Sequence, residues 1–297
     1  MASPWREIME QIQDLQRIAQ REQAPLWYRG QRRAQWPLMS SLHRRIERSL
    51  GVALVQMTDS EKIELMRDVY KSLYNKFIAR AWHLLDPQER SDWGIIFSMQ
   101  HHGIPTRLID WTENFACALF FAQRQRRQDD DAAIFVLDPQ KLNVSTIQKE
   151  GLVHLGGEES GSARSTVDAT SYHPRYVSTQ NDAEALAVAP VLTNSRMIAQ
   201  RAAFLLSGAS FEPQEEKYSA CIRKVVLPAS TYGEVQLFID TVTPGHFGYF
   251  PDLEGLRIEL LEGLDREAEA ARAFILEKSS TAGHQVPPGN APPGFSL

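Results

Sequence analysis

Cysteine is scarce in this chain: Cys117 and Cys221 are the only two among 297 residues, and neither belongs to a metal-ligand spacing. A disulfide framework is thereby excluded, and a reducing compartment is the natural setting. No run reaches the roughly eighteen apolar residues of a membrane span. The opening MASPWREIMEQIQ has no apolar signal-peptide core, so a cytoplasmic protein without membrane attachment is expected. Positive charge is not in excess either. The net charge is −5, so nucleic-acid binding would have to rest on a local basic patch. There is no internal repeat and no nucleophile-elbow pattern, which weighs against a Ser-His-Asp or Cys-His hydrolase. What the chain does have is 43% hydrophobic and 23% charged residues, enough for the core of an ordinary globular protein.

The periodicity predicts a helix over residues 4–20, with Ser3 and Pro4 as cap and first-turn proline. APLWYRGQ reads as a short strand that ends at Gly30. The strongest helical stripe runs over residues 59–85 through Ile63, Met66, Tyr70, Leu73 and Phe77, with Asp59 or Ser60 as cap. A second helix is expected from Ser91 to His102, stopped by Gly103 and Pro105. Asp110 followed by Glu113 reads as a capping box opening a further helix in DWTENFACALFFAQRQ. AAIFVLDP, EALAVAPV and SACIRKVVLP read as strands, SRMIAQRAAFLLSG as helix then strand, and FPDLEGLRIELLEGLDREAEAARAFI as a helix or helix pair. Residues 150–170 are poor in large apolar side chains and are expected to form a mobile surface loop. The Pro/Gly/Ser-rich residues 279–297 are expected to be a disordered tail. The fold class is therefore α+β: a mixed sheet surrounded by helices, with an N-terminal helical arm, as one domain over residues 1–278.

QHHGIPTRLIDWT, residues 100–112, concentrates the chemistry. On the structural reading it is a polar hinge in which Arg107 pairs with Asp110. On the functional reading His101, His102, Thr106 and Arg107 are donors facing an anion beside a helix N-terminus, where free N–H groups and the dipole favour phosphate. Adjacent histidines on a helix point about 100° apart, and no matching acid or histidine spacing accompanies them, so no metal is expected. In WYRGQ, Arg29 stands at the end of a strand, suited either to a salt bridge or to a bidentate diphosphate contact. Arg196 and Gln200 fall on one helix face and either line the same cleft or face solvent.

WYRGQ (27–31), QHHGIPTRLIDWTENFACALFFA (100–122) and SRMIAQRAAFLLSG (195–208) together resemble the successive motifs of the FRG domain, a bacterial and phage-borne family named after a Phe-Arg-Gly motif. Here Tyr28 replaces the phenylalanine ahead of Arg29 and Gly30. The resemblance covers roughly residues 20–208 and extends at most to residue 256. An aromatic-Arg-Gly at the end of an early strand is also similar to the first motif of arginine-type ADP-ribosyltransferases. That resemblance implies an ADP-ribosyltransferase-like fold, NAD as substrate, Arg29 on the diphosphate, and His101 or His102 on the adenosine ribose or the nicotinamide amide. It implies Trp27 or Tyr28 stacked on a ring and YVSTQ (176–180) as a Ser/Thr-rich strand. The carboxylate that stabilises an oxocarbenium-like transition state would be Asp110, Glu254 or Asp252. The acceptor would be a protein or nucleic acid, and the chain a toxin or phage-defence effector with an antitoxin or defence-system partner.

The competing expectation is a non-catalytic module that recognises a nucleotide, a nucleic acid or a partner protein. In that case Arg29, Arg32, Arg33, Arg44 and Arg45 would contact phosphates. The two readings differ in what they require: the enzyme needs a carboxylate within the basic cleft, and the module does not.

Overall fold

The computed structural model describes residues 3–155, 169–176, 184–190, 195–243 and 245–282. By internal contacts the chain divides into one unit over Met1–Thr243 and a second over Pro244–Leu297. The first unit opens with α1 (Pro4–Glu22), where Ser3 accepts from Arg6 N at 3.3 Å and Ile8, Ile12 and Ala19 are buried. Strand β1 (Trp27–Gln31) follows, then α2 (Ser41–Leu50), the short α3 (Val52–Val55) and α4 (Asp59–Ala81). The cap of α4 is Thr58 rather than Asp59 or Ser60. Its Oγ1 accepts from Glu61 N and the Glu61 carboxylate accepts from Thr58 N at 2.7 Å, so two orphan donors are met reciprocally.

Helix α5 (Asp92–His101) ends as its glycine predicts, with Gly103 at φ 71° in the left-handed region. The chain then forms strand β2 (Leu108–Thr112), not the start of a helix. Asp110 caps nothing. Leu108 through Thr112 pair residue for residue with β6 (Ala202–Leu206), a long-range partner that the local Asp110–Glu113 spacing does not reveal. The cap belongs to Asn114, whose Oδ1 accepts from Ala116 N at 2.9 Å and Cys117 N at 3.3 Å to open α6 (Phe115–Gln123). Thus the histidine-rich stretch joins a helix to a strand.

Strand β3 (Ala132–Leu137) leads through Asp138 into α7 (Pro139–Ile147), and β4 (Val153–Leu155) and β5 (Leu186–Pro190) come next. α8 (Ser195–Ala199) precedes β6, and α9 (Gln214–Lys217), β7 (Ile222–Leu227) and α10 (Tyr232–Val242) complete the unit. Of the expected loop 150–170, residues 153–155 pair as β4 and 156–168 lie outside the described residues. So do residues 177–180 of YVSTQ.

The seven strands form one mixed sheet in the order β4-β5-β6-β2-β1-β3-β7, with β4 and β5 parallel and the other pairs antiparallel. Alternation along the strands divides the core. Trp27, Ile109, Trp111, Phe135 and Leu205 pack with Leu142 of α7 and Tyr218 on one side. On the other, Leu186, Phe204 and Leu206 pack under α2, α4 and α5. Tyr28, Ile134, Val136 and Val225 pack under α1, α6 and α10. The sheet is thus covered on that side by two separate helical groups.

The second unit holds α11 (Gly245–Tyr249) and α12 (Leu253–Ala282), the latter a single helix rather than a pair. It carries residues 279–282 of the expected tail, and residues 283–297 lie outside the described residues. Among the described residues no helix is long and apolar enough to cross a membrane.

Candidate functional site

The centre of the sheet has a seam. β1 pairs with β3 at five positions and β2 with β6 at five, but β1 and β2 meet at one pair, Tyr28 with Thr112. Beyond it the two strands part, and the Arg29 side chain fills the gap: its Nη1 donates to the Asp110 carbonyl oxygen at 2.6 Å. The same guanidinium lies 3.8 Å from Asp110 Oδ2. Where the strands part, a cavity of about 480 Å³ opens between the two helical groups. This volume is of the size that holds a nucleotide-sized ligand.

Five arginines line the cavity: Arg29, Arg32, Arg44, Arg124 and Arg196. Asp110 is the single carboxylate among the lining residues. Burial lowers the Arg29 pKa, and neighbouring Asp110 opposes the shift. Its Nε is buried with no hydrogen-bond partner among the described residues, a donor left over beside the cavity. Arg44 is pushed down to about 10, first by burial and then by the charge of Arg29, with Asp110 opposing. One of its guanidinium nitrogens donates to the Met39 carbonyl. Two partly desolvated cations near one another make a point where added negative charge would be stabilising.

Asp110 is oriented by a chain of polar contacts. Thr106, fully buried, donates from its N to Ser41 Oγ at 3.1 Å and accepts at Oγ1 from Leu108 N at 3.1 Å. Its hydroxyl donates to Gln100 Oε1 at 2.5 Å, which fixes the amide so that Gln100 Nε2 donates to Asp110 Oδ1 at 2.9 Å. The carboxylate is therefore aimed by α5 on one side and flanked by Arg29 on the other.

Tyr28, Arg29, Gly30, His101, Asp110, Arg196 and Gln200 of the sequence candidates all line this cavity. Tyr28 does so mainly as a core residue: its ring meets Phe115 edge-on at 5.5 Å and its hydroxyl accepts from Gln16 at 3.2 Å. Gly30 has a packing reason, because a Cβ there would lie 1.9 Å from the Ala118 carbonyl oxygen of α6. Gln200 presents its backbone as well, with its carbonyl accepting from Thr112 Oγ1 at 2.5 Å.

Five candidates lie elsewhere. His102 is exposed beside the ring of His101 at 5.0 Å but is not in the wall. Thr106 supports Gln100 from within the core. Arg107 does not pair with Asp110: it is fully buried, donates through Nε to the Ser207 carbonyl at 3.0 Å, and lies over the Tyr172 ring at 5.2 Å. Arg107 precedes β2, and its contacts are with the Ser207 carbonyl and the Tyr172 ring rather than with Asp110. Glu254 belongs to the second unit, where it opens α12 and is paired with Arg257 at 2.7 Å, which lowers its pKa. Asp252 precedes it and accepts from Gly255 N at 2.7 Å.

Gln100, Arg124, Trp111 and the aromatic residues Phe97, Phe121 and Phe204 complete the wall without having been singled out by sequence. Gln100 immediately precedes His101 at the C-terminal end of α5. A Ser–His contact exists, Ser40 Oγ to His43 Nδ1 at 2.7 Å, but both residues are 1% exposed and the pair caps α2. Burial, followed by the charge of Arg107, pushes His43 down to about 3. Cys117 is buried and its thiol pushed up to about 12 by burial, which makes it a poor nucleophile.

Compared with known proteins, residues 24–131 match the FRG domain family. That span contains β1, β2 and α2 through α6, hence both sides of the seam. No curated protein and no solved structure matches the chain.

Proposed function

We propose that this chain, an FRG-domain protein over residues 24–131, binds NAD in the arginine-lined cavity and transfers its ADP-ribose to a macromolecular acceptor, protein or nucleic acid. The observation that carries the reading is the placement of Arg29 and Arg44 about a single oriented carboxylate. Arg29 and Arg44 would hold the diphosphate, the role for which an unpartnered, desolvated guanidinium nitrogen is suited. Asp110 would stabilise positive charge on the ribose as its bond to nicotinamide breaks, and would align a ribose hydroxyl. In the transfer the C–N glycosidic bond breaks, nicotinamide leaves with the bonding pair, and a nucleophile of the acceptor bonds to the same carbon and gives up its proton. Gln100 is the positioning residue that aims Asp110. His101 would meet the adenosine ribose or the nicotinamide amide.

The parted strands with Tyr28-Arg29-Gly30 at the end of β1 support an ADP-ribosyltransferase-like reading of the fold. By the same reading the chain acts in the cytoplasm as a toxin or antiviral-defence effector, with an antitoxin or defence-system partner. A second reading is favoured by one observation, the excess of five arginines over one carboxylate. On that reading the site recognises a nucleotide, a nucleic acid or a phosphate-bearing protein without chemistry.

Calorimetric titration with NAD, together with nicotinamide release in the presence of cell lysate, tests the proposal. Binding and release by the wild type, both lost in Arg29→Ala, are expected. A folded wild-type protein that neither binds nor consumes NAD overturns it.

A further inference from the structure

Resting on the reading that the cavity holds a nucleotide, we infer that the macromolecule brought to this site is a single strand of nucleic acid, seated on Arg32, Trp36 and Arg124. A dinucleotide diphosphate carries two negative charges, and Arg29 and Arg44 match them. Arg32, Arg124 and Arg196 are cations beyond that need, in a wall with one carboxylate. A protein acceptor brings no regular negative charge to such a surface. A polynucleotide brings one phosphate per residue, and guanidinium groups suit it.

The second observation concerns stacking. Arg32 and Arg33 lie over the indole of Trp36, 5.1 and 5.5 Å from its ring centre, and Trp36 is 36% exposed. A part-exposed indole with guanidinium groups beside it is a surface on which an unpaired base can rest. Arg32 is held in place by Gln125, whose Oε1 accepts from Nη1 at 2.6 Å. Arg124 is the neighbouring residue, at the end of α6, so the group is assembled from the segment after β1 and the C-terminus of one helix. Arg33 also pairs with Asp130 at 3.2 Å, which makes it a member of the stack rather than a phosphate clamp. Asp131 is engaged by Ala229 N at 2.8 Å. A duplex, whose bases are stacked on one another, would leave the Trp36 platform unused.

DNA and RNA share this chemistry, and the test separates them. The full chain is titrated into labelled oligo-dT and oligo-U of roughly twelve nucleotides, followed by fluorescence anisotropy at about 50 and 200 mM salt. NAD is titrated separately by calorimetry. Binding that weakens steeply with salt is expected, about tenfold weaker in Trp36→Ala. Arg32→Gln and Arg124→Gln should each lower the salt slope by about one. Melting curves establish that each variant is folded, and the two glutamine variants carry the test if Trp36→Ala is not. Binding of oligo-U alone would assign RNA through its 2′-hydroxyl, and binding of both would assign single strands generally. If neither oligonucleotide binds while NAD does, the inference falls, the nucleotide reading stands and the acceptor is a protein. Equal oligonucleotide affinity in all folded variants also overturns the inference. If an oligonucleotide binds through these residues and NAD does not bind, the strand surface stands and the transferase reading falls.

Discussion

Gly30→Ala probes the close contact of β1 with α6 on one side of the cavity. The added methyl would sit 1.9 Å from the Ala118 carbonyl oxygen and 2.6 Å from Ala122 N. Both atoms are backbone of α6, so no change of rotamer relieves the clash. Ordinary contact needs about 3.4 Å, so α6 must withdraw from β1 by roughly 1.5 Å. Overpacking on this scale costs about 3 kcal/mol. In a unit of this size that lowers the melting temperature by roughly 6–12 °C. Ala118, Phe121, Arg124 and Gln125 belong to or follow the same helix and line the cavity, so ligand affinity falls with stability. Gly233→Ala in α10 is the internal control. Its methyl meets nothing within 4 Å and its φ is not positive, so it should gain about 0.5–1 kcal/mol. Urea unfolding and thermal melts of both variants measure the contrast. Wild-type stability in Gly30→Ala would refute the close approach of α6 to β1 and, with it, the packing reason for that glycine.

His43, held neutral at about 3 by burial, makes stability depend on acid. The unfolded chain takes up a proton below about pH 6.5 while the folded one does not, so stability is full above that value and falls as the pH drops. This group alone should cost about 2 kcal/mol at about pH 5. Urea midpoints of wild type and His43→Gln at pH values of about 7.5 and 5 isolate it, and an identical drop in both would sink the claim. On the transferase reading, Asp110→Asn should reduce nicotinamide release by about a hundredfold or more, while Glu254→Gln should stay within about twofold. The reverse pattern would move the chemistry to the second unit's acid. Gln100→Leu should lower kcat about tenfold with KM for NAD nearly unchanged, as loss of a positioning contact does. A change confined to KM would assign Gln100 to binding instead.

The elements were legible where one signal acted alone. Ser3, Ser91 and Gly103 mark helix ends by local chemistry, and each stands where its type predicts. The boundary at Asp110 was not legible, because a capping-box spacing and a run of strand-forming side chains overlap there. Pairing with β6, about ninety residues away, decides between them. The site was legible in part for the same reason. Arg29 and Asp110 carry their own motif context and Arg44 belongs to a visible basic run, yet Gln100 and Arg124 join them only because α5 and α6 meet across a parted pair of strands. Arg107 is the instructive miss: a motif arginine beside an acid suggests an ion pair, but the folded chain gives the arginine a carbonyl and a tyrosine face instead.

The strand order also sets a timetable for synthesis. β1 and β2 are made early, but β2 completes its ladder only with β6 and β3 only with β7. At roughly 5–20 residues per second, the ribosome delivers β6 about 5–20 s after β2 has emerged. Through that interval β2 presents an open sheet edge, and the segment matching the FRG family ends at residue 131, before β3 has begun. That segment is therefore no free-standing folding unit. A truncated transcript ending after it would yield unpaired strands exposed to aggregation rather than a smaller version of the protein.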